Sequence, residues 1–425
     1  MNKKKLFFLL PAFAAAMFAW KTPSFAQDFD REAFKAEILA EVEESVWDSP
    51  LLGPFKDVQL SGFVDVMYFY NFRNHDDVDA FGGNQDSLSP LNFIGENENN
   101  SLTFESFALF LDKEATTEDP IGWQMHSYFG EKAKRITFLG EAQGRATNDP
   151  DRDDIFTVAT ANVSWIAPVG NGVTFTMGKI YTWIGLELVE NIGNPNYQHG
   201  ILYNNAIPFT HTGISAGYDL TDNLHVGLYG VNGWDSFIDN NSAKSLGWYV
   251  SYDPTDKFFI SLAGIHGAEG WDNESGDPID GDTQRTSSTD GLTQMFDLVA
   301  SYSLTDKLTL MFNADWGTAE DASLDIEGGV ANGSTGHWWG VAGYALYDLT
   351  DWFQGAVRYE YFDDTDGVRF FGQSVWETTV TANIKMRENL LFRPEYRFNH
   401  YADPDSVGRY DNDEHILGIG VEYLF

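Results

Sequence analysis

The sequence predicts an all-β fold, a transmembrane antiparallel up-and-down β-barrel of about sixteen strands with a short helix before it. Three observations predict this fold. Apolar and polar residues alternate with period two from residue 58 onward, short turns alternate with long loops, and the last strand ends on an aromatic residue, Phe425. Because successive side chains of a strand point to opposite faces, each such segment has one apolar and one polar side.

The composition excludes several classes of protein. The 425 residues include 26 basic and 64 acidic side chains, a formal net charge of −38, which excludes a nucleic-acid binder that neutralises phosphates. The absence of cysteine excludes disulfides, thiolate zinc sites, cysteine nucleophiles and covalently attached c-type haem. The 40 Gly, 33 Phe, 19 Tyr and 13 Trp are many for a soluble protein.

Residues 1–26 are predicted to be a secretory signal peptide. Met1–Lys5 is basic, Leu6–Trp20 is mostly apolar, and Ser24 and Ala26 supply small residues before the expected cut. An uncleaved anchor is the alternative, and the lysine-rich and alanine-rich signal suits a Gram-negative bacterium. Cleavage removes four lysines and no acid, so 22 basic and 64 acidic residues leave a net charge of −42. No later window approaches about 18 consecutive apolar residues, so no membrane-spanning helix is expected.

Residues 27–57 are predicted to be a separate periplasmic segment that contains a short helix. Phe34, Ile38, Val42 and Val46 recur four apart among glutamates, as in an amphipathic helix. A helix of this length is marginal in water by itself. Both a periplasmic bundle that joins three protomers and a mobile tail are consistent with the pattern.

The remainder, residues 58–425, is predicted to be the barrel. In Glu388–His400, for example, Phe392 and Tyr396 fall on one face and Arg393 and Arg397 on the other. Fourteen or eighteen strands stay open as alternatives, depending on the segments 121–130 and 211–220. The predicted strands are 58–71, 101–113, 121–130, 154–166, 172–183, 211–220, 224–233, 245–253, 257–267, 293–304, 307–317, 336–348, 352–362, 374–386, 389–400 and 414–425.

The connections and the last strand favour a bacterial outer-membrane barrel over a soluble all-β secreted protein. Four short turns share a Thr-Asp pair, at Thr221, Thr255, Thr305 and Thr350, and longer loops rich in Asp, Asn and Gly alternate with such turns. Asp and Asn in the short turns are expected to favour the tight bends through local side-chain hydrogen bonds. Short turns at one rim and long loops at the other are typical of outer-membrane barrels. A terminal strand that ends on Phe is their recognition signal. Closed barrels also let strands lie in lipid with every backbone group paired.

The polar faces of the strands are expected to surround a water-filled lumen, because sixteen strands leave an aqueous channel. A charge-paired wall could simply hydrate this pore. Alternatively, the semi-apolar loop 184–210 could fold inward and set its carboxylates, with Glu187 and Glu190 as candidates, against the basic wall as a constriction. The candidate pore-lining residues are Arg358, Glu360, Glu377, Lys385, Arg393, Glu395 and Arg397.

Three segments carry a resemblance to a known family. The block Asn232-Gly233-Trp234-Asp235, the run from Ala206 to Gly213 and the first strand Leu60–Phe72 resemble beta-barrel porin family 2, the OmpL-like outer-membrane porins. The resemblance covers most of residues 58–425. It implies an outer-membrane channel with no assigned catalytic residues, and it adds little about which solute passes.

No catalytic, metal or cofactor site is predicted, and the chain is not expected to be an enzyme. The acidic runs Asp272–Asp282 and Asp363–Asp366 lack the spacing of a calcium-binding EF-hand, and the nine histidines are scattered. Passive diffusion of small hydrophilic solutes or ions is the leading function. A structural or adhesive barrel and a sleeve around an exported redox partner are the alternatives. The expected partners are outer-membrane lipid, lipopolysaccharide, small solutes and a homotrimer, without nucleic acid.

Overall fold

Sixteen of the strands in the described part of the chain form one closed antiparallel barrel. The barrel strands are β1 Gln59–Asn71, β2 Ser101–Lys113, β3 Ile121–Phe129, β4 Phe156–Ala167, β5 Val173–Tyr181, β6 Thr210–Thr221, β7 Leu224–Val231, β8 Ser245–Thr255, β9 Phe258–Asp272, β10 Thr286–Ser303, β11 Leu308–Ala319, β14 Gly336–Thr350, β15 Phe353–Asp363, β16 Ser374–Arg387, β17 Leu390–Tyr401 and β18 Asp413–Leu424. Two short strands, β12 Leu324–Asp325 and β13 Val330–Ala331, pair with each other outside the barrel wall.

The computed structural model describes only part of the chain. The signal peptide, the helix predicted before residue 57 and most of the residues in several long loops lie outside the described residues, so those predictions stay predictions. No helix among the described residues is both long and apolar enough to cross a membrane. The described residues are 57–72, 99–134, 136, 155–239, 243–272, 286–320, 324–325, 330–331, 334–369, 372–403 and 412–425.

The prediction of a sixteen-stranded barrel is confirmed. Each strand pairs with its neighbours in the chain order, apart from β12 and β13, and β1 pairs with β18 to close the barrel. Strands β9 and β10 are longer than predicted, with Thr286 opposite Asp272, so residues assigned to a loop continue the ladder. Local Gly and Asp content predicted a loop there, but backbone pairing between neighbouring strands outweighs it.

The last residue helps to close the barrel at its seam. The backbone N–H of Phe425 donates to the Gly62 carbonyl at 3.0 Å, and the Gly62 N–H donates to the Phe425 carbonyl at 3.1 Å. The Phe425 ring stacks on Phe107 with 5.7 Å between the ring centroids. The terminal aromatic residue therefore holds the two ends of the barrel together.

The two faces of the strands are as the alternation predicts. On β17, Tyr396 is 40% exposed on the outer surface, whereas its neighbour Arg397 is fully buried on the inner side. Large apolar side chains such as Leu228 and Leu246 are exposed on the outside. In a barrel that spans a membrane, this outer surface faces lipid.

The repeated short turns are held by their threonine hydroxyls. Thr221, Thr255, Thr305 and Thr350 each accept a hydrogen bond from the backbone N–H two residues ahead, at 3.2–3.4 Å. The sequence prediction had given this role to Asp and Asn, but hydroxyl groups make the same local turn. The shared pattern therefore predicts the turns correctly through a different side chain.

Candidate constriction site in the lumen

The connection between β5 and β6, residues 182–209, folds into the barrel, and we name it the inner loop. It contains a short 3-10 turn at Asn191–Gly193 and one π-helical turn at Leu202–Ala206. Ile201, Leu202 and Ile207 are buried and share one apolar cluster with wall residues, including Trp338. The semi-apolar sequence of this loop follows from that packing, since burial removes its apolar surface from water.

The two candidate carboxylates of the inner loop face different walls. Oε1 of Glu187 lies 2.7 Å from Nη1 of Arg358, and the same carboxylate accepts from the N–H of Gly200 and the hydroxyl of Tyr344. Glu190 instead accepts a 2.8 Å hydrogen bond from the Tyr128 hydroxyl on β3. The structure therefore places Glu187, but not Glu190, in contact with a candidate arginine.

Each of the three arginines of the wall donates to the backbone of the inner loop. Arg358 donates to the carbonyl of Gln198 at 2.8 Å, and Arg397 donates to that of His199 at 2.9 Å. Arg393 donates to two loop carbonyls, those of Asn191 and Asn194, both at 2.7 Å. A guanidinium is suited to this role because its several N–H groups point in fixed directions.

The glutamates of the wall accept hydrogen bonds from the same loop. Glu360 accepts from the N–H of Ile201 at 2.5 Å, and Glu395 accepts from the N–H groups of Tyr197 and Gln198 at 2.6 and 3.0 Å. Buried backbone groups need such partners when no ladder supplies them. The charged residues of β15 and β17 thus give the irregular loop the hydrogen bonds that secondary structure would otherwise give.

The candidate pore-lining residues lie on the inner face, but most of them are covered. Arg358, Glu360, Glu377 and Arg397 are fully buried, and Arg393 and Glu395 are 1% and 2% exposed. Glu377 accepts from Nε of Arg358 at 2.8 Å, so it pairs within the wall. Lys385, near the short-turn end of β16, is exposed. The inner loop therefore lies over all of these candidates except Lys385, and a pore-lining role for them stays a prediction.

Glycines in the wall make room for side chains of the inner loop. A side chain at Gly420 on β18 would overlap the ring of Tyr197, and one at Gly340 on β14 would press on Leu202. The Tyr197 ring stacks on Phe69 with centroids 5.4 Å apart, and its hydroxyl donates to Asp65 at 2.8 Å. The two glycines therefore let the loop approach the wall, at β14 for Gly340 and beside the seam between β1 and β18 for Gly420.

The Asn-Gly-Trp-Asp block holds the end of the inner loop. Oδ1 of Asp235 accepts from the N–H groups of Phe209 and Thr210 at 2.8 and 2.9 Å. The guanidinium of Arg369 lies 5.0 Å from the Trp234 ring centroid and donates to the carbonyl of Asn205 at 2.5 Å. Burial is the main cause that raises the pKa of Asp235 to about 6. Sequence reasoning did not give these residues a role, although the family resemblance had singled out the block.

The inner loop does not fill the lumen evenly. A cavity of about 370 Å³ lies between its first residues and the wall formed by β7–β11. Trp183 of the loop, Tyr229, Tyr249 and Phe259 contribute aromatic rings to its lining. The sequence did not predict this cavity, because its lining comes from segments far apart in the chain.

The described residues contain no group of three or more His, Asp or Glu side chains that could hold a metal ion. Part of the acidic run Asp272–Asp282 lies outside the described residues. His211 on β6 is buried and bonded to the backbone carbonyl of Gly233 at 2.9 Å and to the hydroxyl of Thr182 at 3.2 Å. These contacts give this histidine a structural role at the base of the inner loop.

Comparison with known protein families shows which family this barrel belongs to. The model of the family described as "Putative beta-barrel porin-2, OmpL-like" matches residues 57–425. The chain belongs to this family. The resemblance carried by the three sequence segments is therefore confirmed, and this porin is a protein of the bacterial outer membrane. No sequence among the curated proteins matches it.

Solved structures show the same fold at low sequence identity. The trimer form of OmpT from Vibrio cholerae is 13% identical with a TM-score of 0.55, covering 87% of this porin and 99% of that chain. The anion-selective porin from Comamonas acidovorans is 12% identical with a TM-score of 0.53, covering 87% and 99%. OprB from Pseudomonas putida is 9% identical with a TM-score of 0.55, covering 88% and 96%. At these identities the likeness extends to the fold alone.

Proposed function

We propose that this porin forms a water-filled channel for passive diffusion of small hydrophilic solutes or ions across the outer membrane. The observation that carries the proposal is the position of the inner loop, which is bound to β14–β18 and leaves a cavity of about 370 Å³ beside β7–β11. A constriction of this kind restricts the size of passing solutes. The proposal includes no catalytic step.

The side of the lumen that the inner loop occupies supports a channel rather than a sleeve. A sleeve needs the lumen for its partner, whereas here the inner loop occupies that space through buried hydrogen bonds from Arg358, Arg393 and Arg397. An adhesive barrel would act through its long loops and would not need the cavity. The channel hypothesis accounts for both the bound inner loop and the cavity beside it.

Conductance of the full chain in a planar lipid bilayer tests the proposal. We expect discrete current steps at the nanosiemens scale after insertion of the refolded porin. Detergent alone and heat-denatured porin serve as controls and should give no steps. Persistent silence of protein that is shown to be folded would overturn the channel and favour the adhesive barrel.

We also propose that the porin is a homotrimer whose outer surface contacts lipid and lipopolysaccharide. The trimer form of the Vibrio cholerae OmpT, a protein of the same fold, supports this arrangement. Native mass spectrometry from detergent should give three copies of the chain. A monomer at all detergent concentrations that preserve the barrel would contradict the trimer.

A further inference from the structure

The lining of the cavity beside β7–β11 contains no charged side chain among the described residues. Its rings come from Trp183, Tyr229, Tyr249 and Phe259, and its remaining side chains are hydroxyl-bearing or apolar. Thr182, Ser261 and Ser301 supply the hydroxyl groups. This side of the lumen therefore differs from the arginine-rich side that the inner loop covers.

The aromatic surface of the cavity is built rigidly. The rings of Trp183 and Tyr229 are stacked, with centroids 3.7 Å apart and an interplanar angle of 10°. On β8, a side chain at Gly247 would overlap the Trp183 ring, so this glycine leaves the space that the indole occupies. Trp183 also lies against His211, with ring centroids 4.5 Å apart. Rings held in this way offer a ligand an apolar surface without a further ordering cost.

The lining is suited to a neutral ligand that has an apolar face and hydroxyl groups at its edge. Aromatic rings bury apolar area, and the tyrosine and serine hydroxyls can donate and accept hydrogen bonds. A charged solute would lose water here and find no opposite charge in the lining, which is costly. A pyranose sugar has the required form, because its C–H groups make an apolar face and its hydroxyls lie around the ring.

We propose that this cavity is a binding site for neutral pyranose sugars, of the size of a mono- or disaccharide. The volume of about 370 Å³ lies at the lower end of the range of about 300–1,000 Å³ for small-ligand sites. The inference rests on the proposed channel function, because the sugar reaches the cavity through the lumen.

Binding of five probes, which are glucose, maltose, sorbitol, gluconate and phenol, to the refolded full-length porin in detergent tests the assignment by calorimetry. Glucose and maltose are expected to bind. Sorbitol has similar hydroxyls without a ring, and gluconate carries a charge, so both should bind at least about tenfold more weakly. Equal binding of sorbitol or gluconate would overturn the pyranose assignment, and so would binding of phenol together with no response to either sugar.

Three variants on β8 locate the site. Tyr249→Ala removes an inner ring and should weaken glucose and maltose binding about three- to tenfold. Tyr252→Ala removes an outer ring that is 46% exposed and should leave binding unchanged. The heat-dependent shift of the folded barrel on gels checks folding, and Tyr249→Phe, which keeps the ring, should retain most of the affinity. Equal effects of Tyr249→Ala and Tyr252→Ala would contradict the location.

Calorimetry separates this inference from the channel function, because it requires no current. Sugar binding by a porin that conducts no current would refute only the channel. Current steps without sugar binding would refute only the site. Addition of maltose to a conducting channel should also produce brief current interruptions, and these should become rarer with Tyr249→Ala.

Discussion

Arg358 on β15 and Glu187 in the inner loop form a buried ion pair, with Nη1 2.7 Å from Oε1, although 171 residues separate them in the chain. The same guanidinium donates to the carbonyl of Gln198 and to the carboxylate of Glu377. One side chain therefore joins the barrel wall to both a loop carboxylate and the loop backbone. Loss of the Arg358 side chain should therefore loosen the constriction.

Arg358→Ala is expected to release part of the inner loop from the wall. It leaves Glu187 and Glu377 buried without this cation, and breaking a buried pair in this way costs about 3–5 kcal/mol. Because the loop is held less tightly, the mean single-channel conductance and the current noise should both rise. Planar-bilayer recording measures both quantities.

Lys385→Ala is the matched control for the arginine variant. It removes the same charge from the inner face, but Lys385 is exposed near the short-turn end of β16. We expect its conductance to stay close to that of the wild type. Equal changes in the two variants would show that net charge, rather than loop docking, sets the conductance.

Gly420→Ala is expected to displace the inner loop by steric overlap. The added methyl group would meet the Tyr197 ring, and overpacking of this kind typically costs about 1–3 kcal/mol. Gly343→Ala on β14 is the control, because nothing lies within 4 Å of the position that its methyl group would take. Thermal unfolding followed by circular dichroism should show a lower midpoint for Gly420→Ala alone. An unchanged midpoint and unchanged conductance would contradict the predicted contact.

The end of the inner loop should be held less tightly as the pH rises from about 4 to 6. Burial raises the pKa of Asp235 to about 6, above its ordinary value of 3.8, although Arg369 and Lys179 nearby favour the charged form. In this range Asp235 binds more protons when the loop is closed than when it is open. The free energy that favours the closed loop therefore falls as the pH rises, by at most about 3 kcal/mol. Above pH 6 or so, the pKa of Asp235 in the closed loop, this loss of closure free energy is complete and stays constant.

Hydrogen exchange at Phe209 and Thr210, corrected for intrinsic rates, measures this effect. Their protection should fall between pH 4 and pH 6 in the wild type. Asp235→Asn removes the titrating group and should abolish the pH dependence, whereas Asp222→Asn in an exposed turn should preserve it. The same pH dependence in Asp235→Asn would show that another group titrates, such as the nearby Glu269.

The channel should show a mild preference for cations. The arginines of the wall are buried under the inner loop, and exposed acidic residues such as Glu118, Asp222 and Asp351 lie at the short-turn rim. Negative charge at a channel mouth raises the local concentration of cations. The reversal potential under a potassium chloride gradient measures the preference, which should weaken at high salt. Clear anion selectivity would show that Arg358, Arg393 or Arg397 is accessible to passing ions.

The positions of the strands could be predicted because they depend on local patterns. Period-two alternation assigned Tyr396 to the outer face and Arg397 to the inner face of β17, and the structure agrees. The repeated Thr-Asp pairs marked the short turns in the same way. The predicted extent of β9 and β10 was too short, because the composition of a strand does not show how far it pairs with its neighbour.

The candidate site was only partly predictable. The charged faces of β15–β17 and the inward loop could be inferred, and Glu187 does meet Arg358. The role of the other charges could not be inferred, since Arg393 and Glu395 bind backbone atoms of the loop. Every residue has a carbonyl and nearly every residue has an N–H, so no residue type marks such a partner.

The sequence by itself determined the strand order, the two faces of the wall and the outer-membrane barrel, because these follow from alternation, turns and the last strand. Only the tertiary structure decided which charges are covered and where space remains in the lumen. Glu395 accepts from the N–H of Tyr197, 198 residues away in the chain, and Trp183 of the inner loop stacks on Tyr229 of β7. Such contacts depend on the path of the inner loop, which the packing of the whole lumen fixes.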